Sequence, residues 1–319
     1  MKLFRLNKTN LNEVEQIPFK LERDIQNLVE VNTESVFNLK FIQSELSVDK
    51  YRIDTLCFDE ENNSFVIVEY KKGNSYSVID QGYTYLQLLL NNKSDFLLVL
   101  SQHFNKVLRM EDVDWSQSRI IFVSPSFNSY QKDSVNFKDL PFELWEIKRY
   151  SNDTVVLNQH RSNSKESIET LNPNTTDSTI SQVSREVRVY TMETHTSNLS
   201  KKMKEKWGEI EEVIKEMDEL ELNPRRHYIG LTVEGKTISY IKFRKNHIHF
   251  DIIRGNKNLD GSVSPNFFSL DDPKQISEEK IRKSNSGGNR MSYGINVDSK
   301  VDIGYLFFLI KQKYNQLTS

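Results

Sequence analysis

The sequence predicts a mixed α/β protein built as two domains, and three observations lead there. Residues 1–160 alternate short apolar, strand-like runs with stretches of helical periodicity, the pattern of a sheet covered by helices. Residues 161–184, RSNSKESIETLNPNTTDSTISQVS, are rich in Ser, Thr and Asn and poor in aromatics, which is the composition of a linker. Residues 185–319 read as a smaller α+β unit of helix, antiparallel meander and helix.

In the first domain a short strand-like start, Lys2 to Leu6, precedes a helix over Pro18 to Asn32. Pro18 suits the first turn, and Leu21, Ile25, Leu28 and Val29 share one face. Glu22 falls on the edge of that face, so it is the acid expected to reach inward, whereas Glu30 is turned away. Phe37 to Val48 reads as extended. Tyr51 to Phe58 and Phe65 to Lys71 read as two strands joined by the polar turn Asp59 to Asn63. Gly73 and Asn74 end the second strand, and Ser75 to Asn91 has helical periodicity, with Gln81 and Tyr85 on one face. Asp95 to Ser101 and Arg119 to Ser124 are continuous apolar runs that suit buried strands. Helices are expected near His103 to Met110 and Pro125 to Phe137, and Phe142 to Tyr150 with Thr154 to Leu157 suggests a closing hairpin.

In the second domain Asn198 to Leu222 reads as a charged helix with an apolar stripe through Leu199, Met203, Trp207, Ile210 and Ile214, stopped by Asn223 and Pro224. Three strands follow, His227 to Val233, Thr237 to Phe243 and His247 to Ile253. Glu234-Gly235 makes a short hairpin turn between the first two. Ser284 to Asn296 reads as a polar, glycine-bearing loop, and Val301 to Leu317 as the final helix.

Composition narrows the function classes. The 319 residues are 37% hydrophobic and 28% charged, enough for two buried cores. No apolar run approaches the roughly 18 residues of a membrane helix, and no basic stretch followed by an apolar one opens the chain. A cytoplasmic protein without membrane association is the expectation. Cys57 is the only cysteine, which excludes an internal disulfide and a thiolate zinc cluster. The net charge of -2 conceals an asymmetry: 18 Lys and Arg stand against 23 Asp and Glu in residues 1–160, and 25 against 22 beyond. Neither half announces nucleic-acid binding by charge alone, so phosphate recognition would need metal ions or local patches.

The chemistry concentrates between Arg52 and Lys71. A hairpin folded about Glu61 puts Asp54 opposite Glu69 or one place away. Like charges facing one another across a ladder are destabilising unless a cation joins them or one carboxyl stays protonated. Glu69 and Lys71 share a strand face while Tyr70 points away. Two acids and an amine on one surface can cradle a hard divalent ion and position a water. In isolation the trio would read as an ordinary cross-strand salt-bridge cluster. The ordered set of Glu22, the two strands and the Gln81 helix favours the site.

That succession, an inward Glu on a helix, a strand, Arg52-Ile53-Asp54 on a strand, Val68-Glu69-Tyr70-Lys71 on the next and then a helix with Gln81 and Tyr85, resembles the PD-(D/E)XK nuclease superfamily. The resemblance covers about Pro18 to Ser101, and Ile53 stands where the motif often has Pro. It implies a restriction-endonuclease-like αβββαβ core and a metal-dependent nuclease acting on DNA. Asp54, Glu69 and the Tyr70 carbonyl would bind Mg2+ or Mn2+. Lys71 would orient or deprotonate the attacking water, Glu22 would support the metal or a water, and Gln81 would touch DNA or brace Lys71, with Tyr85 behind it. A homodimer is common among such relatives. The rival expectation is a non-catalytic nucleic-acid or protein interaction module that keeps the fold.

Other residues carry weaker signals. Arg225, Arg226, Lys242, Arg244 and Lys245 lie near strand turns and form a candidate backbone-contact patch for substrate. His247, His249 and Asp251 alternate on one strand, where an ordinary exposed strand face is the commoner reading than a metal site. Ser286 to Arg290 lacks the ending and context of a phosphate loop. The lysines at 201, 202, 204 and 206, followed by glutamates, read as a solvated helix face. Cys57 points to the face opposite Asp54 and reads as a buried thiol. The chain from about Ser197 onward resembles a small domain of unknown function found in so-called predicted transport proteins, which implies a recognition or partner-binding role and no chemistry.

Overall fold

A computed structural model describes residues 2–73, 77–137, 140–160, 164, 183, 186–217, 219–255, 262–264, 267–283 and 289–318. Two compact units divide the chain, Met1–Val189 and Tyr190–Ser319. Most of the linker expected at 161–184, and residues 284–288 of the expected glycine-bearing loop, lie outside the described residues. The first unit runs past the expected linker because Val183 and Val187 are buried in its core. Among the described residues no helix is long and apolar enough to cross a membrane.

The first unit comprises β1 (Leu3–Asn7), β2 (Asn10–Val14), β3 (Gln16–Ile17), α1 (Glu22–Glu30), α2 (Thr33–Phe37), β4 (Lys40–Val48), β5 (Tyr51–Asp59), β6 (Ser64–Tyr70), α3 (Val78–Asn91), α4 (Lys93–His103), β7 (Arg119–Ser124), α5 (Ser129–Ser134), β8 (Phe142–Tyr150) and β9 (Val155–His160). β1 and β2 form a separate hairpin; the others make a seven-stranded mixed sheet in the order β3-β8-β7-β6-β5-β4, with β9 paired to β8. β5 and β6 are antiparallel, and β6, β7 and β8 are parallel. Every residue of central β6 is buried, as an apolar run between two layers requires.

Alternation along the strands sorts the two cores. Ile25 and Val29 of α1 pack with Cys57, Val66, Val68, Tyr70, Ile121 and Val123 on one face. On the other face α3 and α4 cover Leu56, Phe58, Phe65, Ile67, Ile120 and Phe122. At the sheet end where β7 begins, buried Arg119 joins Asp59 at 2.9 Å and Glu143 at 2.8 Å. Those acids are thereby explained structurally.

Several expected elements differ. Asp95 to Ser101 is part of helix α4, because Phe96 and Leu100, four residues apart, are fully buried while Leu98 between them is 58% exposed. A five-residue apolar run does not distinguish strand from helix without that spacing. The helix expected at His103 to Met110 is absent beyond His103, and Pro125 to Phe137 contains only the short α5, capped by Asn128. Phe37 ends α2, where Asn38 takes a left-handed φ of 53° before β4 begins.

The second unit comprises α6 (Met192–Thr196), α7 (Lys201–Glu216), β10 (Leu220–Pro224), β11 (Ile229–Val233), β12 (Lys236–Arg244), β13 (His247–Ile253), β14 (Ser277–Lys283), β15 (Asn289–Val297) and α8 (Ile303–Thr318). Its antiparallel sheet has the order β10-β11-β12-β13-β15-β14. Glu234 and Gly235, at φ 47° and 74°, make the two-residue turn expected between β11 and β12. The charged helix stops at Glu216, earlier than expected, and Leu220–Pro224 adds an edge strand where a proline is tolerated. Asn289–Val297 is a strand and not a loop, since Tyr293, Ile295 and Val297 alternate into the core. The architecture is mixed α/β throughout.

Candidate active site

The β5–β6 ladder pairs Thr55 with Val68, and the same register carried one step further puts Asp54 opposite Glu69. The Glu69 side chain lies against Gln81 and Tyr85 of α3, at the end of the sheet where β6 stops. Asp54 Oδ2 accepts the Tyr70 main-chain N–H at 3.1 Å. Glu69 Oε1 accepts from Lys71 Nζ and Gln81 Nε2, each at 2.8 Å, and from the Tyr85 hydroxyl at 3.3 Å. Glu69 Oε2 is buried and has no hydrogen-bond partner. Lys71 is held in place by its own N–H, which donates to the Val123 carbonyl at 2.9 Å.

Electrostatics follow from this burial. Glu69 is 3% exposed, and burial, aided by the Asp54 charge, pushes its carboxyl up to about 7 against the opposing pull of Lys71 and Tyr85. Burial also raises Asp54, partly countered by the Tyr70 N–H and Lys71. The Tyr85 phenol is raised by burial and by Glu69. A carboxylate with an unfilled oxygen, beside a second carboxylate, is a site short of positive charge.

Glu22, the first residue of α1, is exposed, and its Oε1 accepts the Lys72 N–H at 2.8 Å, so it fixes the chain just beyond Lys71. Gln81 Nε2 donates to Glu69, the same carboxylate oxygen that accepts from Lys71. Glu30 overturns the expectation that it faces away: it accepts from the Thr55 hydroxyl at 2.5 Å and from Gln26 Nε2 at 3.0 Å. The helical wheel placed it off the apolar face, but its side chain reaches a polar strand residue beside Tyr70. Gln26 was missed altogether. Its amide nitrogen lies 3.1 Å from the Asp54 carbonyl and 3.2 Å from both Ser44 Oγ and Glu45 Oε1. The signal was its place four residues after Glu22, beside Ile25 on the inner face. Glu45 stands level with Asp54 on β4, at a left-handed φ of 53°.

Among the described residues no three His, Cys, Asp or Glu side chains converge as a metal-holding group. Asp54 and Glu69 alone would supply two carboxylates. That donor set fits an Mg2+-like ion, which keeps several waters and binds through one or two carboxylates plus substrate oxygen. The unpartnered Glu69 oxygen is the atom such an ion would satisfy.

Arg225, Arg226, Arg244 and Lys245 belong to the second unit, Arg244 as the last residue of β12 and the others on turns at the same end of its sheet; Arg226, Arg244 and Lys245 are exposed. His249 does not offer a metal a ready nitrogen: Nδ1 lies 2.6 Å from Asn296 Oδ1, and Nε2 lies 3.1 Å from Asp251 and 2.9 Å from Lys280 Nζ. Cys57 is a buried free thiol on the α1 face, pushed up to about 12 by burial.

No family model matches the chain. A repair endonuclease from Pyrococcus abyssi is similar in part, with 18% identity and a TM-score of 0.24 over 38% of this chain and 45% of that one. A structure of EndoMS in complex with double-stranded DNA is similar at 17% identity and a TM-score of 0.22, over 46% of this chain and 64% of that one. A Haemophilus influenzae protein, described as uncharacterized, is 37% identical over 314 residues, which is 98% of this chain and 99% of its own length. The chain therefore belongs to the same family as that Haemophilus influenzae protein.

Proposed function

We propose that the first unit is a metal-dependent nuclease that hydrolyses phosphodiester bonds in DNA. The observation that carries this reading is the buried, unpartnered Oε2 of Glu69 opposite Asp54, with the Lys71 ammonium 2.8 Å from the other Glu69 oxygen. Asp54, Glu69 and the Tyr70 carbonyl would hold Mg2+ or Mn2+. When bound, such an ion neutralises charge at the phosphodiester and lowers the pKa of a coordinated water. Gln81 and Tyr85 fix the Glu69 carboxylate by donating to its Oε1, leaving Oε2 without a hydrogen-bond partner. Lys71, tied to β7 through its main chain, orients the attacking water and offsets charge developing on the phosphate. Glu22 holds the segment after Lys71 at Lys72 and so keeps that ammonium in register.

The test is cleavage of single-stranded, duplex and branched DNA, and of an RNA strand, with Mg2+ or Mn2+. Glu69→Ala and Lys71→Ala are each expected to abolish cutting. Cutting that survives both substitutions overturns the site. No cutting on any substrate, together with no metal binding, would leave a non-catalytic interaction module that keeps the fold.

A further inference from the structure

The second unit's sheet has two unlike faces. Helices α7 and α8 pack on one of them, over Ile229, Leu231, Ile241, Phe250 and Ile295. The residues that alternate with these point the other way. In register across that other face, Gly230 stands opposite Tyr240, Tyr240 opposite Asp251, Asp251 opposite Gly294, and Lys242 opposite His249.

Two lysines converge at its centre. Lys242 Nζ lies 2.9 Å from Asp251 Oδ2, and Asp251 is only 1% exposed. From the opposite side comes Lys280, which starts on edge strand β14 and crosses β15 to place Nζ 2.9 Å from His249 Nε2. Glycine at 294 makes the crossing possible: a Cβ there would stand 2.5 Å from Lys280 Cε. Lys242 thus pairs with buried Asp251 while Lys280 stands against His249, whose Nε2 lies 3.1 Å from the same carboxylate, and Glu221 and Glu278 lie on the edge strands β10 and β14. Beside this cationic centre the Tyr240 ring meets Tyr228 edge to face, centroids 4.8 Å apart. Tyr240, Lys242 and exposed Arg244 follow one another along β12 on the same face, about 7 Å apart at the rise of a strand.

We propose that this face binds single-stranded nucleic acid, with a base stacked on Tyr240 and phosphates held by Lys280 and Arg244. An unpaired base presents its π-face to an aromatic ring on a flat sheet, and a duplex does not. The nuclease reading enters only in the choice of nucleic acid as ligand; binding here needs no cleavage.

The experiment is fluorescence anisotropy on the full-length protein in EDTA, with labelled oligo-dT, oligo-U and a duplex of equal length. Both single strands are expected to bind more tightly than the duplex. Tyr240→Ala weakens single-strand binding roughly 5- to 150-fold, and Tyr240→Phe restores it. Lys280→Gln and Arg244→Gln each lower the slope of log K against log salt by about 0.7. Lys242→Gln is set aside because it strips a partner from buried Asp251. Preference for the duplex, binding of no oligonucleotide, or single-strand affinity unchanged in Tyr240→Ala and both charge variants overturns the proposal. Cleavage is followed in parallel with Mg2+. Cutting without Tyr240-dependent binding sinks this proposal alone, and Tyr240-dependent binding without cutting sinks only the nuclease reading.

Discussion

Asp54 and Glu69 lie one step beyond the Thr55–Val68 pair that ends the β5–β6 ladder, and the Asp54 carboxylate accepts the N–H of Tyr70, next to Glu69 in the chain. The two strands therefore set the spacing of the carboxyls through main-chain geometry, before any cation arrives. One ammonium, Lys71, stands against two acids, and burial leaves both carboxyls raised.

Glu69 makes the stability of the first unit depend on pH in a stated direction. Its folded value of about 7 lies above the ordinary 4.5, so the folded state holds a proton that the unfolded state releases. Stability should fall as pH rises from about 4.5 to 7 and then level off, a loss on the order of 3 kcal/mol from this group. Thermal unfolding of the metal-free protein beside Glu69→Gln checks it: the variant should gain on the wild type across that window. Adding Mn2+ at pH 8 should raise the melting temperature of the wild type and not of the variant. A difference that does not change with pH would contradict the raised value.

Gln81 donates to Glu69 at 2.8 Å and sits 3.2 Å from the Tyr85 hydroxyl, so it orients the carboxylate without itself being a ligand. Partners of this kind affect metal affinity by about 10- to 100-fold. Gln81→Ala is expected to weaken Mn2+ binding by that factor, read by calorimetry, with far less effect on melting temperature. Gln81→Glu should lower the melting temperature of the metal-free protein, because it adds a third negative charge beside a carboxyl that is already raised. Unchanged Mn2+ affinity in Gln81→Ala would remove Gln81 from the site.

Much of the hairpin was legible in the sequence because a strand's period of two leaves few choices. Once the turn was placed at Glu61, Asp54 stood opposite Glu69 or one place away, Glu69 and Lys71 shared a face, and Tyr70 left it. Gln81 and Tyr85 were readable for the same reason at helical spacing. Glu30 and Gln26 were not, because their partners are set by tertiary contact: Thr55, Ser44 and the Asp54 carbonyl approach α1 only after the sheet forms. Asp95 to Ser101 failed as a strand because five consecutive apolar residues satisfy either period. The strand at Asn289–Val297 was obscured by Gly294, whose composition signal reads as a loop. Its actual cause is the passage of Lys280 across β15.

Gly82 sets how closely α3 approaches the sheet. A Cβ there would lie 2.6 Å from the ring of Phe142, which also meets Tyr83 edge-on at 5.1 Å. Gly82→Ala therefore forces the helix or the ring to move and should destabilise by about 1–3 kcal/mol, although alanine is the better helix former. Denaturant unfolding measures this, and Gly82→Ala combined with Phe142→Leu should recover part of the loss. Since Gln81 is the preceding residue, the single variant should also weaken Mn2+ binding. A Gly82→Ala protein as stable as the wild type would show that the contact is soft.

Asp251 in the second unit runs opposite to Glu69. Burial alone would raise its carboxyl, but hydrogen bonds from His249 and Lys242, together with their charges, outweigh that and hold it well below the usual carboxylate range. The contribution is present above the unfolded value near 4 and is lost as pH falls below it. Asp251→Asn leaves the Lys242 ammonium without its anion in a largely buried place and should cost about 3 kcal/mol at pH 7. The penalty should shrink as the pH is lowered from 4 toward 2, since the unfolded wild type takes up a proton at this carboxyl there while the folded state does not. Replacing Lys242 with Met in the Asp251→Asn background removes the unpaired cation and should return more than half of the lost stability. Denaturant unfolding at pH 7 and pH 3 decides the matter, and a penalty equal at both pH values would mean that Asp251 acts through packing and not through its charge.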